Sequence, residues 1–362
     1  MTSHKGHGPA LFTGHRFRIQ TDEAFSVAQL RHLLNFVPEA EQVPPCGHLT
    51  QVHVRHSEDV FRDRMTRLAR ARSLKVVPFR GEPYLFSQLG ELSWWRPDPD
   101  SRLPQDHLYA RDTKGQLHVV LHPGADRGER YLMRVIREVV LRCTEHRGWT
   151  TFHAAAAAVD GHGVLIAGPS GAGKTTVLTA LAAHRQADVI ASDRAVVTEN
   201  AEAVVGVPIS IRIAGGTLSG LSPSEGPPPH RLLPAEFGTA HKVSYAPHDF
   251  AGSFGARVRE SAPLQLVVIP ELRDDDEELS SAFFDAAGAR DALAAVCCTP
   301  DDDDWLHPWF ADRTRPVDDL ARQAAILVED LVAKVPVIKV TAGVHSLLLL
   351  ERIAGAVTRR LA

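Results

Sequence analysis

At 362 residues the chain is too long for one ordinary domain and too short for three, so two lobes, or a core with a large appendage, are expected. An apolar fraction of 44%, a charged fraction of 23% and a formal charge of −4 fit a globular chain and exclude a disordered or fibrous one. With 40 basic against 44 acidic residues there is no global field to hold a polyanion, which argues against nucleic acid as the main partner.

In chain order, residues 1–125 read as a mixed α+β region. Strands are expected around Phe17-Arg18-Ile19 and 74–79, and helices over 27–35 and 60–71. Trp94-Trp95 leads into RPDPDSRLPQD, a turn-rich loop, and 108–120 reads as a hairpin around Gly115. Leu132, Val135, Ile136, Val139 and Cys143 then form one apolar helical stripe that Gly148 closes. A second domain is expected over 126–362. Two apolar runs, 152–159 and 163–167, flank the turn Asp160-Gly161-His162. A helix over 174–184 and a strand over 188–191 follow. Further strands are expected at 203–207, 209–213, 264–269 and 335–340, and helices at 317–334 and 346–361. Strands alternating with helices give an α/β core. The segment 215–260, which includes SPSEGPPPH, is a candidate lid or insertion, and the acidic runs at 274–278 and 301–304 read as solvated loops.

Targeting signals are not apparent. No run approaches the roughly 18 apolar residues of a membrane span, and the first residues lack a secretory apolar core. Cys46, Cys143, Cys297 and Cys298 form no CxxC and no zinc spacing, so reduced thiols and a cytoplasmic location without a membrane partner are expected.

The chemistry is carried by GPSGAGKT at 168–175, which matches G-x-x-x-x-G-K-[ST] in full. The stretch Gly168, Pro169, Ser170, Gly171, Ala172, Gly173, Lys174, Thr175, with Thr176 after it, lies between a strand and a helix. Its glycines allow tight turns that aim N–H groups inward, and those donors with the helix N-terminus hold polyphosphate. Lys174 would neutralise the β- and γ-phosphates and Thr175 would offer its hydroxyl to Mg²⁺. Asp193 ends the next strand, where it faces the same crevice and is a candidate for Mg²⁺ binding or for taking a proton from an attacking hydroxyl. His153 lies on the strand before the loop and is a weaker candidate. Glu271, behind Pro270, ranks below Asp193. The chain lacks N-K-x-D, and Leu218-Ser219-Gly220 continues as Leu-Ser-Pro, which argues against Ras-type GTPases and transport ATPases.

FHAAAAAVDGHGVLIAGPSGAGKTT followed by VIASD resembles the catalytic domain of HPr kinase/phosphorylase, and more closely the HPr-kinase-like serine kinases, including those that modify lasso peptides. The resemblance covers about residues 148–195. It implies a P-loop core of the phosphoenolpyruvate-carboxykinase type and transfer of a phosphoryl group from ATP (or another nucleoside triphosphate) with Mg²⁺ to a serine hydroxyl. It also implies that Asp193 is the general base and that His153 matches the family's histidine. The family's first acid is Ser192 here, which removes one carboxylate, and the glycine-rich signature of phosphorylase activity is missing. Arg212 is a candidate phosphate contact. The expected function is therefore a kinase acting on a Ser or Thr of a peptide or small protein. The alternatives are a catalytically weakened nucleotide-binding regulator and a small-molecule kinase. Homo-oligomerisation is left open.

Overall fold

A computed structural model describes residues 5–6, 10–12, 15–21, 49–125, 128–207, 209–221, 234–239, 241–302 and 309–361. The expected helix at 27–35, the stretch SPSEGPPPH, Cys46 and residues 303–304 lie outside these. The chain separates into two compact units. Among the described residues, the first contains everything up to Cys143 together with 301–302 and 309–314, and the second contains Thr144–Pro300 and 315–361. The amphipathic helix that the sequence grouped with the second domain therefore packs, through Cys143, with the first.

The first unit is built on one mixed sheet. Its strands are β1 (Lys5–Gly6), β2 (Ala10–Phe12), β3 (His15–Thr21), β4 (Leu49–His56), β5 (Leu74–Phe79), β6 (Glu82–Leu89), β7 (Leu92–Pro97), β8 (His107–Arg111) and β9 (Leu117–Leu121). The order is β1-β3-β4-β9-β8-β7-β6-β5, with β2 beside β3; β3/β4 and β4/β9 are parallel and the other pairs antiparallel. Trp94 and Trp95, expected only as the lead into a loop, sit inside β7. Arg80-Gly81, both at positive φ, turn β5 into β6 as a two-residue hairpin connection requires. Helix α1 (Glu58–Arg70) starts on the Ser57 cap, carries Glu58 and Asp59 in its first turn and Arg67 and Arg70 in its last, and buries Phe61 and Leu68.

Helix α2 (Glu129–His146) holds the returning segment 309–314 from within the same unit. Glu138 is fully buried and accepts the backbone N–H groups of Trp309, Phe310 and Ala311 at 3.0, 3.2 and 3.1 Å, while Arg142 balances its charge at 3.2 Å. Trp309 packs edge-on to Tyr84 and Tyr109.

In the second unit, strands β10 (Thr150–Phe152), β11 (Ala154–Val159), β12 (His162–Ala167), β13 (Asp188–Ala191), β14 (Ala195–Val197), β15 (Ala203–Gly206), β16 (Ile211–Ala214), β17 (Lys242–Tyr245), β18 (Ser261–Arg273), β19 (Ser280–Phe283) and β20 (Val337–Gly343) alternate with helices. The helices are α3 (Lys174–Arg185), α4 (Gly215–Ser219), α5 (Pro247–Gly252), α6 (Ala286–Ala294), α7 (Val317–Lys334) and α8 (Leu349–Thr358). The central sheet runs β13-β11-β12-β18-β20-β19, parallel only at β12/β18 and β18/β20. Strand β18 is longer than expected because its first residues pair with β15 in a second, antiparallel sheet, β10-β14-β15-β18. Strands β16 and β17 form a separate pair.

Both faces of the central sheet are covered, which explains why β11 reads as an unbroken apolar run. One face of β11, Ala155 and Ala157, joins Val177 and Leu181 of α3 and Ile353 of α8; the other, Ala154 and Ala156, joins Leu293 of α6 and Leu327 and Leu331 of α7. The fold is thus α/β with mixed sheets, as the alternation of elements implied. Among the described residues no helix is long and apolar enough to cross a membrane.

Candidate active site

The glycine-rich loop leaves β12 at Gly168 and enters α3 at Lys174. Two backbone positions enforce its path. Gly171 has φ +86, and Gly173, the cap of α3, has φ +105. A methyl group on Gly173 would also come within 2.5 Å of the Leu272 side chain, so both conformation and space demand glycine there. The amide of Leu272, at the end of β18, donates to the Ala172 carbonyl at 3.2 Å and ties the loop to the sheet. Pro270 is compatible with this central strand. Val267 donates its amide towards the β20 side, so residue 270 would donate towards β12, and β12 pairs with β18 only as far as Ile166↔Val268. The missing N–H falls where the neighbouring strand has already turned away.

Lys174 is 7% exposed and bends back over the loop, donating to the carbonyls of Gly168 and Pro169 at 2.7 and 2.9 Å. Burial lowers its ammonium to about 8, against the partly compensating pull of Asp193. Thr175 faces the same cavity as Lys174. Thr176 lines the cavity as well, and its hydroxyl shares a 2.9 Å hydrogen bond with Thr217 of α4.

Opposite the loop, the chain breaks at His153 between β10 and β11 and bends at Ser192–Asp193 after β13. Because β11 and β13 are paired neighbours, the two bends meet. His153 Nε2 donates to Asp193 Oδ1 at 3.2 Å, and Arg194 reaches Asp193 Oδ2 at 2.8 Å. Burial pushes the Asp193 carboxyl up, but the His153 hydrogen bond, with Arg194 and Lys174, outweighs it and holds the group well below the usual carboxylate range. Ser192 donates to the carbonyls of Ile209 and Ser210 at 3.4 and 3.2 Å, contacts a carboxylate could not make.

These groups converge on one cavity of about 310 Å³, which Lys174, Thr175, His153 and Asp193 all line. Arg212 and Lys242 line it too, a pairing that no local feature of the sequence suggests. The register Arg212↔Ser244 and Ala214↔Lys242 puts both cations on one face of the β16–β17 pair. Glu271 is not in the lining; it is held by Lys339 and Arg273. Among the described residues no group of three or more His, Cys, Asp or Glu could hold a metal by itself. A hydroxyl and a carboxylate on one cavity nevertheless suit Mg²⁺, a hard ion that usually takes one or two carboxylates and completes its shell with substrate phosphate and water. The arrangement can bind a polyanion on amides, an ammonium and two surface cations, with a weakly basic carboxylate beside it. No family model matches this chain, and a search of curated proteins finds no match either.

Proposed function

We propose that the chain is an ATP-dependent kinase of the HPr-kinase-like type, with a P-loop core, that phosphorylates a serine or threonine of a peptide or small protein. The observation that carries this reading is the meeting of Lys174, Thr175, Asp193 and His153 around one cavity. Nucleoside triphosphate is the phosphoryl donor, with its phosphates on the 168–175 amides and Lys174; Thr175 and Asp193 are the protein oxygens offered to Mg²⁺. Magnesium supplies charge neutralisation. Asp193, kept ionised by His153 and Arg194, accepts a hydrogen bond from the acceptor hydroxyl and points its oxygen at the terminal phosphorus. The new oxygen–phosphorus bond forms as the bond to the β-phosphate oxygen breaks, the nucleoside diphosphate leaves, and the hydroxyl proton passes to the Asp193–His153 pair. A carboxylate of low basicity suits this chemistry, because a loose transition state releases the proton late. Arg212 and Lys242 are well placed by charge to oppose the negative charge of the transferring group.

A second reading, nucleotide binding without transfer, is favoured by Ser192, whose engagement with two carbonyls leaves Asp193 without a neighbouring acid. One assay separates them. With γ-labelled ATP, Mg²⁺, a library of serine-containing peptides and a small-metabolite extract, label should move to serine. Asp193→Asn should cut the rate by about 10²–10⁴ while retaining nucleotide binding. Lys174→Ala should remove binding and transfer together. Label on a metabolite would favour a small-molecule kinase, and binding without transfer would favour the regulator. An undiminished rate in Asp193→Asn would remove its catalytic role.

A further inference from the structure

A second cavity of about 280 Å³ adjoins the first and shares three lining residues with it, Thr217, Phe237 and Val344. The two differ in character. The first is lined by Lys174, Arg212, Lys242 and Arg273 together with Asp193 and Asp274, whereas no lysine, arginine, aspartate or glutamate lines the second. Leu348, Leu349 and Leu350 form one side of it, and Phe237 another. Phe237 is fixed from behind, where a methyl group on Gly216 would meet its ring at 2.6 Å. The lining serines and histidine are already engaged: Ser219 Oγ donates to the Gly216 carbonyl, Ser346 Oγ to Glu277 and His345 Nε2 meets Asp274.

We infer that the second cavity holds the nucleoside of the triphosphate whose phosphates occupy the first. This rests on the nucleotide reading above and adds the direction in which the ligand lies. Phosphoryl transfer takes place at the outermost phosphate, so that phosphate belongs beside Asp193. The nucleoside must then leave the opposite end of the phosphate chain. His153, Ser192 and Asp193 line only the first cavity, and the passage to the second runs past Thr217, the hydrogen-bond partner of Thr176 on the first turn of α3. An uncharged, partly apolar recess with an aromatic wall matches a base and sugar, as a cationic one matches phosphates.

The test compares MgATP with inorganic tripolyphosphate by calorimetry on the full chain. Ser219 and Ala235 are exposed residues on the lip of the second cavity, so Ser219→Trp and Ala235→Trp place a large ring there without disturbing the core. Each variant should weaken MgATP by about tenfold or more and leave tripolyphosphate within about twofold of wild type. Unchanged MgATP affinity in both variants would overturn the inference while leaving the nucleotide reading intact. Equal weakening of both ligands would overturn it too, since the cavities would then act as one. Failure of the wild type to bind either ligand would remove the nucleotide reading itself, and this inference with it.

Discussion

Lys174 enters the site with its charged form disfavoured by burial. Its ammonium, shifted to about 8 from 10.5 by burial, binds fewer protons in the folded than in the unfolded chain between those values, so this group makes the ligand-free protein more stable as pH rises from about 8 to 10.5. Bound phosphates reverse the shift by favouring the charged form. At pH 8, nucleotide binding should therefore take up roughly half a proton, falling towards zero at pH 6.5. Calorimetry in two buffers of different ionisation enthalpy reads this directly, and equal heats in both would contradict the contact between Lys174 and the phosphates. Ser192 gives a second expectation. Placing an acid there with Ser192→Asp should not raise activity, because the new carboxylate would face the Ile209 and Ser210 carbonyls. A loss of roughly 1–3 kcal/mol in urea unfolding should accompany it.

Among the elements, the loop and its strand act as a unit. Gly173→Ala meets both the φ of +105 and the Leu272 side chain, and should cost about 1–3 kcal/mol. The measurements are a lower Tm and weaker MgATP binding, whereas Gly171→Ala, with open space around it, should show only the backbone part of that cost. Much of this region could be read in advance. The strand–loop–helix order, the helix at 317–334 and the strand at 188–191 follow from local periodicity and turn residues, which a single segment carries. Asp193 and His153 were each identifiable by position, but not their mutual hydrogen bond, which needs β11 beside β13. Arg212 and Lys242 lie thirty residues apart, and only strand register puts them on one face. Strand β18 runs past the expected 264–269 at both ends and takes in Pro263 and Pro270. Pro270 is tolerated for a reason of pairing that no local window contains. Strands β6 and β7 of the first unit alternate weakly and draw stability from neighbours across the sheet. Strand β4, by contrast, carries a readable alternation, with buried Val52 and Val54 between Gln51, His53 and Arg55, that the sequence reading passes over.

At the level of the whole molecule, the expected boundary near residue 125 does not separate independent pieces. Residues 309–314 follow most of the second unit in sequence yet complete the first, where Glu138 holds three of their amides and Trp309 and Phe310 are nearly fully buried. A chain starting at Thr144 would keep those aromatic residues and lose the surface that covers them. It should aggregate, or show red-shifted tryptophan emission and a lower Tm than the full chain. A fragment that remains monomeric with buried tryptophan would show that 309–314 finds another resting place.

That returning segment also orders events during synthesis. Growing from its amino end, the polypeptide offers Glu138 to the ribosome exit long before the amides that Glu138 will hold, so the earlier-made half must wait, incomplete, for a part delivered late. Cotranslational maturation should accordingly be slow at the amino-terminal sheet and depend on chaperones until the final third has emerged.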